Sequence, residues 1–272
     1  MSDAALPIVV APESLVERLG DPRLLLIDLG RPETYCRAHL PGALALDYAA
    51  LVASRAPVAG LLPDATQLGA LFSALGLSPD RYVVAYDDEG GGRAARLLWT
   101  LDVLGHGGAS MLDGGIHAWA AAGCALDEAP GVATPSDYSA RVTEDGLADA
   151  DYILGRLGDP DFMTLDTRSV AEFVGSDRRA ARAGHIPGAV HFEWLEAMDQ
   201  ERQLRLKAPE DLRARLESLG VTPDREVVAY CQTHHRSSHT YVVLKSLGYP
   251  RVRGYPGAWS DWGNRSDTPV EV

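Results

Sequence analysis

Short, almost wholly apolar runs recur along the chain, separated by stretches with helical spacing. Leu24-Leu25-Leu26-Ile27-Asp28, Tyr82-Val83-Val84-Ala85-Tyr86, Phe162-Met163-Thr164-Leu165-Asp166 and Val227-Val228-Ala229-Tyr230 are the clearest of them. Runs this short, rich in valine and tyrosine and apolar without alternation, predict buried strands. Leu68–Leu75 and Leu212–Leu219 carry the spacing of amphipathic helices, and each is followed by a Gly-x-(Ser/Thr)-Pro-Asp turn. After the last run come Cys231 and a polar stretch, then a helical pattern from Arg236 through Leu247, stopped by Gly248 and Pro250. Strands alternating with helices predict an α/β fold built on mainly parallel sheets flanked by helices.

The pattern occurs twice. Leu24–Asp28, Tyr35 and His39-Leu40-Pro41-Gly42-Ala43 are answered by Phe162–Asp166, Phe173 and His185-Ile186-Pro187-Gly188-Ala189. Leu75–Tyr86 matches Leu219–Tyr230, and Leu112–Trp119 aligns with Val252–Trp259. Ordered matches at a nearly constant offset define two copies of one domain. We therefore expect an N-terminal domain over 1–125, a linker over 126–141 rich in Ala, Pro, Asp and Gly, and a C-terminal domain over 142–272.

Composition narrows the function. The 272 residues are 46% hydrophobic and 23% charged, as in a globular protein of one large or two ordinary domains. A formal charge of −13 argues against nucleic acid or an anionic membrane as partner. No apolar run reaches transmembrane length, and the N-terminus lacks a basic segment followed by an apolar one, so no secretory signal is expected. Cys36, Cys124 and Cys231 do not form a disulfide framework, which fits a reducing, cytoplasmic setting.

The candidate chemistry lies at Cys231-Gln232-Thr233-His234-His235-Arg236, between a strand end and a helix start. Loop N–H groups and the positive end of a helix favour an anion there, either the thiolate or what it attacks. An ordinary cysteine is only about 3% thiolate at pH 7, and lowering its pKa by about two units makes it mostly thiolate. Loop amides and Arg236 are the expected means. In the first copy the cysteine is replaced by Asp87, followed by Asp88 and Glu89. Asp87 is no soft nucleophile, and its acidic neighbours repel anions, so the first copy is read as catalytically inactive.

Taken together, the two copies, the Tyr35-x3-His39-Leu40-Pro41-Gly42-Ala43 stretch and the Gly254–Gly263 stretch resemble the tandem-domain rhodanese family of sulfurtransferases. Cys231–Arg236 is similar to the active-site loop of a bacterial subgroup acting on thiosulfate. The resemblance implies an active second domain and a ping-pong reaction. In it Cys231 takes the outer sulfur of thiosulfate as a persulfide and passes it to cyanide, a thiol or a protein acceptor. It also implies that Arg168 contacts the anionic substrate, Asp166 being a structural acceptor. Arg236 either serves the site or pins the loop to a carboxylate. Thr233 stands where vertebrate-type enzymes carry a lysine, so substrate charge is expected to be met by His234 or His235, with Gln232 beside them. Mercaptopyruvate-using relatives carry a Cys-Gly-Ser-Gly loop that this chain lacks, which makes that donor secondary.

Arg178, Arg179 and Arg182 lie in Gly175–Gly184, a segment absent from the first copy and expected to be a solvated loop. Cys36 and Cys124 are expected to take no part. The chemistry requires no cofactor and no metal. Cysteine phosphatases have five residues between Cys and Arg where this loop has four. Crowding of Cys231, His234, His235 and His239 in one loop and helix does not suit a structural zinc site. A sulfur-carrier role keeps the persulfide and makes the acceptor another protein.

Overall fold

The computed structural model describes residues 6–272, so the extreme N-terminus, on which the absence of a leader was judged, lies outside the described residues. The chain forms two compact units that do not coincide with its halves. Unit 1 holds the described residues up to Leu51, Pro63–Thr143 and Asp199–Leu206; unit 2 holds Val52–Leu62, Glu144–Met198 and Lys207–Val272. Each unit thus contains a short segment from the other half of the sequence. The expected boundaries at 125 and 142 differ accordingly. The expected linker is a strap in unit 1, where its Asp127 exchanges backbone hydrogen bonds with His39 and Ser136 N–H donates to Ser73.

In unit 1 the strands β1 (Val9–Val10), β2 (Leu24–Asp28), β3 (Leu44–Ala45), β6 (Tyr82–Tyr86) and β7 (Ala109–Leu112) form one sheet in the order β1-β7-β6-β2-β3. Every pairing is parallel. Helices α1 (Pro12–Val16), α2 (Pro32–Arg37), α3 (Ala65–Ala74), α4 (Gly92–Val103) and α5 (Gly115–Ala121) lie between the strands in sequence. Asp64 caps α3 with a full capping box to Gln67. β6, and β2 up to its final Asp28, are apolar because parallel strands of this kind are covered on both faces.

Unit 2 repeats four of the five strands. β8 (Phe162–Asp166), β9 (Val190–His191), β12 (Glu226–Tyr230) and β13 (Val252–Gly254) pair in the order β13-β12-β8-β9, all parallel. Its helices are α6 (Ala150–Leu154), α7 (Val170–Phe173), α8 (Pro209–Ser218), α9 (Arg236–Ser246) and α10 (Ala258–Trp262). The hairpin β4 (Ala53–Arg55) and β5 (Val58–Leu61) belongs to this unit. β10 (Met198–Asp199) with β11 (Arg205–Leu206) forms a second two-stranded ribbon, of which Asp199 and β11 belong to unit 1. Among the described residues, no helix is long and apolar enough to cross a membrane.

The duplicated His-x-Pro-Gly-Ala motif is a turn with a fixed partner. In unit 1, Ala43 N–H donates to Leu40 C=O across Pro41 and Gly42, and Gly42 has φ +76°. This is a type II turn, whose third position requires positive φ. Leu40 N–H donates to the Tyr86 hydroxyl at 3.0 Å, as Ile186 N–H does to Tyr230 at 3.1 Å. The histidine ring stacks on the preceding aromatic in both units: Tyr35–His39 at 3.9 Å and Phe173–His185 at 3.8 Å. The turn therefore anchors on a hydroxyl at the end of the strand that carries the critical loop.

The structure corrects one part of the repeat alignment. Ile116 N–H bonds to Asp87 C=O, whereas Trp259 N–H bonds to Cys231 C=O. The indole N–H of Trp119 donates to Ala125 C=O, and that of Trp262 to Pro269 C=O. Trp119 thus corresponds to Trp262, three residues beyond the partner expected from sequence. The tryptophan-rich stretch offered two indoles, and only the hydrogen bonds tell them apart.

Candidate active site

Cys231 follows the central strand β12 directly, and α9 begins five residues later at Arg236. β12 is buried along its whole length, so its last residue delivers the next one to the strand ends inside the unit. The thiol is 1% exposed. Cys231 C=O accepts from Trp259 N–H and Gln232 C=O from Ser260 N–H, both at 3.0 Å, so the start of α10 holds the loop from behind. His234 turns the chain with φ +56°, a left-handed conformation that few residues other than glycine adopt.

Four groups converge on the sulfur. The Ser237 hydroxyl donates to Cys231 Sγ at 3.5 Å and is hydrogen-bonded to His234 Nδ1 at 2.7 Å. Backbone N–H groups of Ser237 and Thr233 also donate to the sulfur. Burial by itself pushes the thiol up. The Arg236 charge first, then these hydrogen bonds, outweigh it, and the pKa falls below its ordinary value. The helix α9 N-terminus adds its dipole in the same sense.

Arg236 does both things left open by the sequence. Its two terminal nitrogens grip Glu172 at 2.6 and 2.8 Å, a bidentate pair, while its charge favours the thiolate. Glu172 is 2% exposed, and although burial opposes ionisation, Arg236 and Ser169 hold its pKa down at about 2. Glu172 was not singled out from the sequence. A signal for it existed in Ser169-x-x-Glu172, a capping box at the start of α7. Ser237 was likewise passed over, since nothing in a Ser-Ser pair says which hydroxyl faces the sulfur.

Arg168, expected to contact the substrate, is held mainly by Asp166. Its guanidinium is 1% exposed, bonded through Nε and Nη2 to Asp166 and through Nη2 to Gly184 C=O at 2.7 Å. It also lies 4.5 Å from the Trp259 ring centroid. A cation so enclosed and paired frames the end of β8, and its Nη1 lies outside these bonds. Asp166, buried with it, is the acceptor expected. His234 is also fully buried and directed at Ser237, so it acts through the sulfur's neighbours. Gln232, Thr233 and His235 are half-buried, and His235 leans on Trp194 with centroids 5.8 Å apart.

The arginine-bearing segment is not merely solvated. Arg182 donates to Trp262 C=O at 2.7 Å and to Thr268, Arg179 pairs with Asp177 at 2.8 Å, and Arg179 C=O accepts from Gln232 Nε2 at 3.2 Å. Cys36 is exposed and Cys124 half-buried, and both are free thiols. Among the described residues no group of three or more His, Cys, Asp or Glu side chains is placed to hold a metal ion. The loop nearest to that description has His234 turned to Ser237 and His239 packed edge-on to Trp194 at 5.5 Å.

Fold and site together define a duplicated α/β protein with one buried cysteine, its thiol pKa lowered, held in an amide-lined loop. The chain belongs to the rhodanese family: the Rhodanese-like domain matches it twice, over residues 11–122 and 149–265. It is 46% identical over 267 residues to the thiosulfate sulfurtransferase of Pseudomonas aeruginosa, covering 98% of each chain. It is 35% identical over 273 residues to the probable 3-mercaptopyruvate sulfurtransferase of the same organism, covering 95% of each. Among solved structures, EanB in complex with ergothioneine superposes with a TM-score of 0.85 at 21% identity, over 97% of this chain and 70% of that one. That likeness concerns the fold alone.

Proposed function

We propose that the protein is a thiosulfate sulfurtransferase acting through a persulfide on Cys231. The observation that carries this is the sulfur's environment: a buried thiol whose pKa is lowered by Arg236, Ser237 and two backbone N–H groups. The thiolate attacks the outer sulfur of thiosulfate; the new S–S bond forms as the old one breaks, and sulfite leaves with the bonding pair. Cyanide or a thiolate then attacks the outer sulfur of the persulfide and releases the Cys231 thiolate. Splitting the transfer in this way suits a soft nucleophile, and no electrons are gained or lost overall. The amides that steady the thiolate steady the persulfide anion equally.

The oxygens of thiosulfate are placed at the loop's mouth, beside Gln232, Thr233 and His235, with the Arg236 charge behind them. Arg168 supports that arrangement by fixing the end of β8. The 46% identity to a thiosulfate sulfurtransferase supports this donor over mercaptopyruvate. Free thiols at all three cysteines suit a cytoplasmic setting. Intact mass of the reduced protein, before and after thiosulfate, tests the reading. A gain of one sulfur atom is expected, removed by cyanide and absent from Cys231→Ser. No gain with thiosulfate, and a gain with 3-mercaptopyruvate, would overturn the choice of donor.

A further inference from the structure

The hairpin β4–β5 comes from the first half of the chain yet is part of unit 2, and its Gly60 lies directly against the active-site loop. Gly60 has φ +81°, and a Cβ there would stand 2.3 Å from Thr233 C=O oxygen, 2.7 Å from its carbonyl carbon and 2.7 Å from its Cα. All three are backbone atoms, so no side chain can swing aside to relieve the overlap. The same hairpin is tied to α10 next door. Ala59 N–H donates to Ser260 Oγ at 3.0 Å, and Ser260 Oγ donates back to Ala59 C=O at 2.8 Å. Ser260 N–H in turn holds Gln232 C=O at 3.0 Å. Two routes, one by direct contact and one by hydrogen bonds, thus lead from the hairpin to Gln232 and Thr233.

Thr233 supplies one of the backbone N–H groups on the Cys231 sulfur. We propose that the hairpin is the backstop of the Cys231 loop, and that Gly60 is a positioning residue setting the Thr233 amide on the thiolate. Glycine is required twice over, by the left-handed backbone and by the backbone-to-backbone approach. The segment's place in unit 2 then has a functional reason, because the loop's outer face is completed by residues far upstream in sequence. The inference rests on Cys231 being the nucleophile and is independent of which sulfur donor it uses.

The test reads the thiolate without any donor: the rate of Cys231 alkylation by iodoacetamide against pH, followed by peptide mass so that Cys36 and Cys124 are counted separately. In Gly60→Ala the inflection is expected to move up by about one pH unit, with alkylation below it slowed about tenfold. Ser260→Ala, which cuts only the hydrogen-bonded route, should move it the same way by less. Gly220→Ala is the strain control, because Gly220 has φ +77° with open space around it, and its profile should match the parent protein. A parent-like profile in folded Gly60→Ala overturns the proposal, as does an equal shift in Gly220→Ala. If Gly60→Ala does not fold, a parent-like profile in Ser260→Ala overturns it. Failure of the unmodified protein to take sulfur from thiosulfate would instead count against the proposed function and leave this test standing.

Discussion

Asp87 in unit 1 and Cys231 in unit 2 end equivalent strands, and each precedes a helix by five residues. Both are buried, and both are held by the same two backbone N–H groups, those two and six residues further along. In unit 1 these are Glu89 and Arg93, at 3.0 and 2.9 Å from the carboxylate, joined by Gly91 at 2.8 Å and Ala94 at 3.0 Å. In unit 2 they are Thr233 and Ser237, on sulfur. The nest for an anion is therefore a property of the shared backbone, not of the reaction. What differs is the occupant and the charge behind it. A carboxylate spreads two oxygens over four donors, and burial with Glu89 nearby pushes its pKa up against their pull. The nearby arginines of unit 1 face the carboxylates after Asp87: Arg31 bonds Asp88 at 2.7 Å, and Arg93 lies 3.3 Å from Glu89 and 3.8 Å from Asp88. A single sulfur atom fills less of the nest and has Arg236 at its back.

The comparison breaks most sharply at Cys231. Cys231→Ser should lose at least about a thousandfold in thiosulfate–cyanide turnover, because a hydroxyl neither ionises at neutral pH nor attacks sulfur as a soft centre. Next in size is the charge behind the sulfur. Arg236→Ala should slow turnover at neutral pH by roughly ten- to a hundredfold and move the alkylation inflection of Cys231 upward. The sign follows from the lowered thiol: thiolate is present above its depressed pKa and lost as pH falls through it, so removing the cation raises that limit.

Glu172→Gln should act on stability as well as on the thiol. Glu172 has its pKa lowered from 4.5 to about 2, so its ion pair stabilises the fold fully above the unfolded value and loses this as pH falls towards the folded one. The stability gap between parent and variant, read from denaturant unfolding, should be constant near neutrality and close between those two values. Ser237→Ala should be milder, with turnover down by about three- to tenfold, since one hydrogen bond to sulfur is lost and the amides remain. Asp87→Asn is the smallest in activity, within about twofold of the parent, while costing about 1–3 kcal/mol of stability because its amide nitrogen cannot accept from the nest. A large loss of turnover there would show that the unit 1 loop takes part.

Much of the fold was legible because its signals are local. β2, β6, β8 and β12 are apolar over most of their length, so their runs stand out, and the His-x-Pro-Gly-Ala turns carry glycines that the turn type demands. Cys231 and Asp87 were legible for the same reason: each follows such a run. The packing of Trp259 on Arg168 was not legible, because the two are remote in sequence. Glu172 stayed hidden because the partner that matters is 64 residues away.

By itself, then, the sequence determined the duplicated α/β pattern and the placing of a cysteine at a strand end before a helix, since these depend on residues within a few positions of one another. Tertiary structure alone decided which charges face the sulfur, which arginine is buried, and which distant glycine backs the loop. Those depend on desolvation and on contacts between segments far apart in the chain, and no local pattern of residues encodes them.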